Sequence, residues 1–444
     1  MKVTKKLSLI LSAVLVLGLL AGCGGGKNET AGAGTGANSG GGNAGKAGSG
    51  KAVTVDFWSA LDPSSEEGKT IKKLVEQFDA SRDDIDINMQ VISYDVMHDK
   101  LVAAFNAGDA PDISWGLSEW FGEFNQFDAL LDLTDYFNNW DEKDQFYENV
   151  IQSYTVDGKL KALPNYLGIR ALLYHENILK EAGYDAPPAT WDELLAMGPA
   201  VKEKTGKEAF GIAGAGVRSP QELIMYLAQN DVVIAEQMSD GKYKNTWQDN
   251  PDQLSKAAEV FKFYQDLLAT KTIKADAKTW GWEEEDQNFA LGQYAMVVDG
   301  SWMETYGASN PDEMADVKIA APMYKNTPAT FMEVAPLFLY KTENADATWE
   351  FAKFLLSAEY QSAVNLNEAP RQDVVSDSPW GSNFMALTDT GVVFPAVSLG
   401  GITTAMEDAL AKALLKNDNP EEVAKWLSQA INDSLSKTGE LSAE

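Results

Sequence analysis

The chain has 444 residues, a formal net charge of −30 and a single cysteine. Such an acidic body is repelled by nucleic acid and by anionic headgroups, so neither is expected as a partner surface. A lone cysteine excludes internal disulfides and thiolate metal clusters, and the length suits two domains after a leader.

Residues 1–22 read as a signal peptide. Lys2, Lys5 and Lys6 form a basic start, and the apolar run Leu7 to Leu20, 14 residues, is too short to span a bilayer comfortably. The run ends in Leu20-Ala21-Gly22-Cys23, which resembles a lipobox, so Cys23 is the expected lipidation site. Stable anchoring needs more than one acyl chain. Residues 23–51 are Gly-, Ala- and Ser-rich and too poor in apolar side chains to repay ordering, which predicts a flexible tether with a reach of roughly 25–30 Å. Gly45 to Ala52 nearly matches a phosphate loop, but Ala52 stands where a hydroxyl is required and no strand precedes it.

Ala52 to Trp58 reads as a first strand, and Ser64 with Glu67 gives a capping box for a helix to about Ala80. Ile85 to Ile92 is a second strand, Tyr94 to Asn106 a second helix and Pro111 to Trp115 a third strand. This β-α-β-α-β order argues a mainly parallel sheet with helices on both faces, whose ligands meet the carboxyl ends of strands. Trp58, Asp62, Trp115, Glu119 and Trp120 fall at such ends. A tryptophan there suits a ligand platform or a seal on the core, and Glu119 suits a ligand contact or a helix first turn.

Leu160 to Leu163 reads as a strand ended by Pro164, and Ile169 to Tyr174 as another after a short crossing. Thr190 and Glu193 form a second capping box. Asp157-Gly158-Lys159, Ala162-Leu163-Pro164, Ala171 to Tyr174, Ala182-Gly183-Tyr184 and Pro187 to Leu194 together resemble the central signature of extracellular solute-binding protein family 1, the maltose-binding-protein-like receptors of ABC importers. Phe289 to Met296 followed by Gly300-Ser301-Trp302 resembles that family's second signature. The resemblance implies an α/β fold of two lobes, each a mainly parallel sheet flanked by helices, joined by a hinge of three crossings near Gly168, Lys318 and Ala369. It assigns residues 53–168 and 319–368 to a first lobe and 169–318 and 369–444 to a second. It implies a carbohydrate ligand held between the lobes, no catalysis, and delivery to a membrane permease by a monomer lipid-anchored on the extracytoplasmic face.

Further along, Phe210 to Gly214 and Ala295 to Asp299 read as strands, and Pro220 to Gln229, Leu254 to Leu268 and Ala345 to Leu356 as helices. Val317 to Ala321 is expected as a strand returning to the first lobe. Asn419-Pro420 caps a last helix. Glu283-Glu284-Glu285-Asp286 reads as a solvated helix start rather than a metal site.

A sugar presents apolar faces and a rim of hydroxyls, which calls for flat aromatics and groups that satisfy hydroxyls in a dry cleft. The family implies that Trp302 stacks on the sugar, and that Glu119 makes a polar contact. Tyr166 and Trp282 are further platforms, with Glu333, Arg170 and Arg371 as polar partners; each arginine suits hydroxyl binding or an interlobe ion pair. Maltose-type members of the family place an aromatic on the late loop that here reads Ser398 to Ile402; none stands there, against a long α-glucan platform. The two histidines, His98 and His175, lack metal-ligand spacing, and there is no Gly-x-Ser-x-Gly elbow, so no metal, cofactor or catalytic group is expected. Two rivals remain open: a surface-anchored glycoside hydrolase, since acidic pairs are plentiful, and a sugar-sensing or adhesive lipoprotein.

Overall fold

The computed structural model describes residues 52–60, 66–92 and 94–444. The leader, Cys23, the tether, Asp62 and the Ser64 cap lie outside them.

Strand Val53–Ser59 buries every second side chain from Val55 onward and pairs in parallel with Ile85–Val91 on one side and Ile113–Trp115 on the other. The helix Glu66–Ser81 and the helix Tyr94–Ala107 connect these strands. A right-handed parallel unit needs such crossovers, which is why apolar spacing alternates between two and three to four along this stretch. Val55, Phe57, Ile71, Leu101, Phe338 and Phe351 anchor the core they enclose.

The strand Leu163–His175 is the longest, at 13 residues. Its first half pairs antiparallel with Met332 to Leu337 of strand Thr330–Leu339, and its second half pairs antiparallel with Met296 to Gly300 of strand Tyr294–Gly300. One strand thus belongs to both ends of a continuous sheet. Beyond it a second core forms around Leu172, Trp191, Phe210, Phe261, Tyr264 and Phe289. The molecule is therefore a two-lobe α/β protein with a core in each lobe.

Several local expectations need correction. Pro164 does not end a strand. It faces Pro336, where the register slips between Ala335 and Pro336, and a residue without an N–H is tolerated at such an irregularity. Strand Val317–Ala320 does not return to the first lobe, because it pairs with Leu172 to His175. The chain passes back one strand later, along Thr330–Leu339, where Phe331 packs in the second core and Met332 in the first. The strand expected from Phe210 is Glu208–Phe210, parallel to Tyr294–Gly300.

Both readable caps form. Thr190 accepts the amide of Glu193, and Glu193 reaches back to the amide of Ala189 at 2.7 Å. Asn419 accepts the amides of Glu421 and Glu422 ahead of Pro420–Thr438. Among the described residues no helix is long and apolar enough to cross a membrane.

Candidate functional site

Where the two cores face each other, the structure encloses a cavity of about 530 Å³. That volume suits a small oligomeric ligand. Its walls come from both lobes. Phe57 and Ser59 reach it from the first strand. Because side chains alternate, Trp58 between them lies on the opposite face, half-buried against the first core.

Trp115 ends its short strand at the cavity wall, with the Tyr166 ring stacked 6.4 Å away at 18°. Trp120 does not line the cavity; it stands edge-on behind Trp115, the centroids 6.3 Å apart. Opposite them, Trp302 follows the strand Tyr294–Gly300. A side chain at Gly300 would meet the Trp302 ring at 1.8 Å, so only glycine lets the indole fold back there. The Arg170 guanidinium lies 4.2 Å from the Trp302 ring centre and that of Arg218 lies 5.5 Å away, both within cation–π range. Trp282 is 42% exposed and stands on the cavity wall, whereas Trp280 is buried against Tyr294.

The polar groups are tied across the cleft. Arg170 donates to Gln221 Oε1 at 2.8 Å, and Gln221 Nε2 donates to Glu119 Oε1 at 3.2 Å. Glu119 thereby connects the first lobe to the helix Arg218–Gln229 without lining the cavity. Ser301 Oγ donates to Glu368, whose backbone carbonyl accepts the Leu167 amide. Arg218 is held by Glu285 at 3.0 Å, by Asp299 at 3.1 Å and by Asp286. Asp286 faces the cavity; Glu285 and Asp299 stand behind it.

Burial dominates the electrostatics. Desolvation, followed by the neighbouring Glu119 carboxylate, pushes Glu333 up to about 8, with Arg170 pulling the other way. Desolvation and the adjacent Asp299 push Asp286 up to about 8, opposed by Arg218. Burial and the nearby Arg218 charge lower the pKa of Arg170. A buried carboxyl beside another gives up its proton reluctantly, so these groups can donate as well as accept hydrogen bonds near neutrality.

Of the predicted residues, Trp115, Tyr166, Arg170, Trp282, Trp302 and Glu333 line the cavity. Arg371 is elsewhere: its guanidinium is taken by Asp373 at 2.7 and 2.8 Å, by Glu142 and by the Leu356 carbonyl. His98 contacts Glu123, and His175 contacts Asp316 and the Phe289 carbonyl, both outside the cavity lining. The acidic run is solvated only in its first half: Glu283 and Glu284 are exposed, but Glu285 and Asp286 are 1% and 0% exposed. Helical geometry turns the second pair inward onto Arg218. Sequence reasoning also missed Arg218, Tyr306, Asn365 and Glu368 on the wall. Arg218 opens the helix that was expected from Pro220, but nothing local marks it as a cavity residue.

The model of bacterial extracellular solute-binding proteins matches residues 62–362. The chain belongs to that family. This solute-binding protein is 23% identical over 311 residues to a binding protein of Brucella abortus, covering 69% of this chain and 72% of the relative. It is 26% identical over 346 residues to the maltotriose-binding protein of Pyrococcus abyssi, covering 75% and 69%. Among solved structures, the sugar-binding protein MalE from Xanthomonas citri superposes with a TM-score of 0.74 at 21% identity, over 87% of this solute-binding protein and 98% of that chain. At that identity the superposition speaks to the fold, and the two lobes with a cleft between them agree with it.

Proposed function

We propose that this protein is the carbohydrate receptor of an ABC importer, tethered by a lipid on Cys23 and acting without catalysis. The carrying observation is the cleft itself: aromatic faces of Trp115, Tyr166 and Trp302 interleave with Arg170, Glu333 and Asp286. Flat rings meet the apolar faces of a sugar, and charged groups form short hydrogen bonds to its hydroxyls. The names of a maltotriose-binding relative and a sugar-binding structural neighbour support the same class. The lack, on Ser398 to Ile402, of the aromatic that maltose-type members place there favours a smaller or differently linked sugar over a long α-glucan.

Contacts from both lobes favour a closed form by hinge bending, the motion of periplasmic binding proteins, and a permease would read that form. A delivered ligand must also leave, so micromolar affinity is expected, roughly −8 kcal/mol. Calorimetry against mono- and oligosaccharides tests the reading. Heat with at least one oligosaccharide, without product formation, is expected. Heat only with a peptide or a metal salt rejects the carbohydrate class, and released reducing ends would favour a hydrolase. Cys23→Ala should move the protein from the membrane fraction to the medium.

A further inference from the structure

Gln221 does not line the cavity, yet it stands between two groups that belong to different lobes. It lies on the helix Arg218–Gln229 and is 9% exposed. Its Oε1 accepts from Arg170 Nη2 at 2.8 Å, and its Nε2 donates to Glu119 Oε1 at 3.2 Å. A guanidinium only donates and a carboxylate only accepts, so the two partners fix which way the amide points.

Glu119 comes from the first lobe, on the turn Ser118–Trp120, where Ser118 Oγ donates to its second oxygen at 3.0 Å. Arg170 comes from the second lobe, in the half of Leu163–His175 that pairs with Tyr294–Gly300. Its guanidinium lies 4.2 Å from the Trp302 ring centre and 5.5 Å from that of Phe331. The row Ser118, Glu119, Gln221, Arg170, Trp302 thus runs unbroken from one lobe to an aromatic face of the other. Among the described residues, the other hydrogen bond from this guanidinium goes from Nη1 to the Gly168 carbonyl and is 3.4 Å long. Gln221 is therefore the shorter and stronger tether. Both ends of the amide are satisfied only at one separation of Glu119 from Arg170. When the lobes part there, the amide gives up a partner, and the side chain that fixes Arg170 is free to turn.

We infer that Gln221 is a positioning residue for ligand binding, which couples the separation of the lobes to the seat of Arg170 on Trp302 without touching the sugar. Closure and assembly of the binding face then become one event, and the free energy of the interlobe bond is felt as sugar affinity. The inference rests on the carbohydrate reading only for its affinity measurement.

Full chains, each with Cys23→Ala to prevent acylation, are compared by small-angle scattering without sugar and by calorimetry with maltotriose. Gln221→Leu nearly keeps the volume and removes both bonds, so affinity should fall roughly tenfold with circular dichroism unchanged. Gln221→Glu can still pair with Arg170 but sets a carboxylate against Glu119. It should bind as weakly and show a larger radius of gyration. Adding Glu119→Gln to Gln221→Glu restores an amide facing a carboxylate with their places exchanged, and should recover the radius and most of the lost affinity. A role confined to stability would move Tm in these variants and leave affinity alone. If Gln221→Leu fails to fold, Gln221→Asn, too short to span both partners, should show the same loss. Wild-type affinity in either variant, or a double variant no better than Gln221→Glu alone, overturns the coupling. If maltotriose gives no heat with the parent chain, that sugar is not the ligand and scattering decides. A larger radius in Gln221→Glu, reversed by the exchange, then supports the coupling, and equal radii overturn it.

Discussion

Trp302 and Glu333 both line the cleft. Trp302 is placed by a glycine two residues earlier and lies beside two guanidinium groups, so its ring position is set before any ligand arrives. Trp302→Ala should weaken oligosaccharide binding by about 1–3 kcal/mol with the fold retained, measured by calorimetry alongside circular dichroism. Unchanged affinity would remove the ring from the binding surface. Glu333 makes a prediction about pH. Its carboxyl is raised from 4.5 to about 8 in the fold, so the folded chain holds a proton that the unfolded chain has lost across that interval. Its stabilising effect is therefore complete below about pH 4.5 and fades as pH climbs through 8. Tm should fall across this window, and Glu333→Gln should flatten the decline. A wild-type Tm that rises from pH 5 to pH 8, or an equal slope in the variant, would contradict this.

At the scale of elements, the legible features were those written in neighbouring residues. The caps at Thr190 and Asn419 formed as read, and the strand expected over Ala52 to Trp58 is Val53–Ser59; all depend on spacings of two to four. Asn419→Ala should cost about 1 kcal/mol by freeing two amides, seen as a shift in denaturant midpoint with sugar affinity unchanged. A shift too small to resolve would mean that water replaces the cap. Features decided by remote partners were misread. Pro164 looked like a breaker because its tolerance depends on the irregular register opposite Pro336. Val317–Ala320 looked like a returning strand, but the strand it joins, Leu163–His175, lies more than a hundred residues earlier. Glu285 and Asp286 looked solvated because Arg218, which draws them inward, precedes them by 67 and 68 residues. The aromatic half of the cleft was readable only in part: Trp115 and Trp302 reach the wall, whereas Trp58 and Trp120, also near strand ends, do not. Of the ionic half, Arg170 and Glu333 were named, but Arg218, Asp286 and Glu368 were not, since a charge network has no periodicity.

Over the whole molecule, two cores meet along two antiparallel strands, and the cleft opens beside that junction. Cross-lobe hydrogen bonds from Gln221 to Glu119 and from Ser301 to Glu368 lie close to it. A ligand that bridges Trp115 and Trp302 should draw the lobes together, so small-angle scattering should show a smaller radius of gyration with saturating sugar than without. Identical curves would argue that the protein is already closed before the ligand enters.

The strand Leu163–His175 also limits how this chain can be divided. Half of its ladder is completed in one lobe and half in the other, so a cut near Gly168 would strip hydrogen-bond partners from both ends of the sheet at once. Either piece made alone would display a raw edge of peptide groups and apolar side chains, the kind of surface that recruits copies of itself into aggregates. The two lobes are thus bound to one polypeptide by a strand that neither can give up.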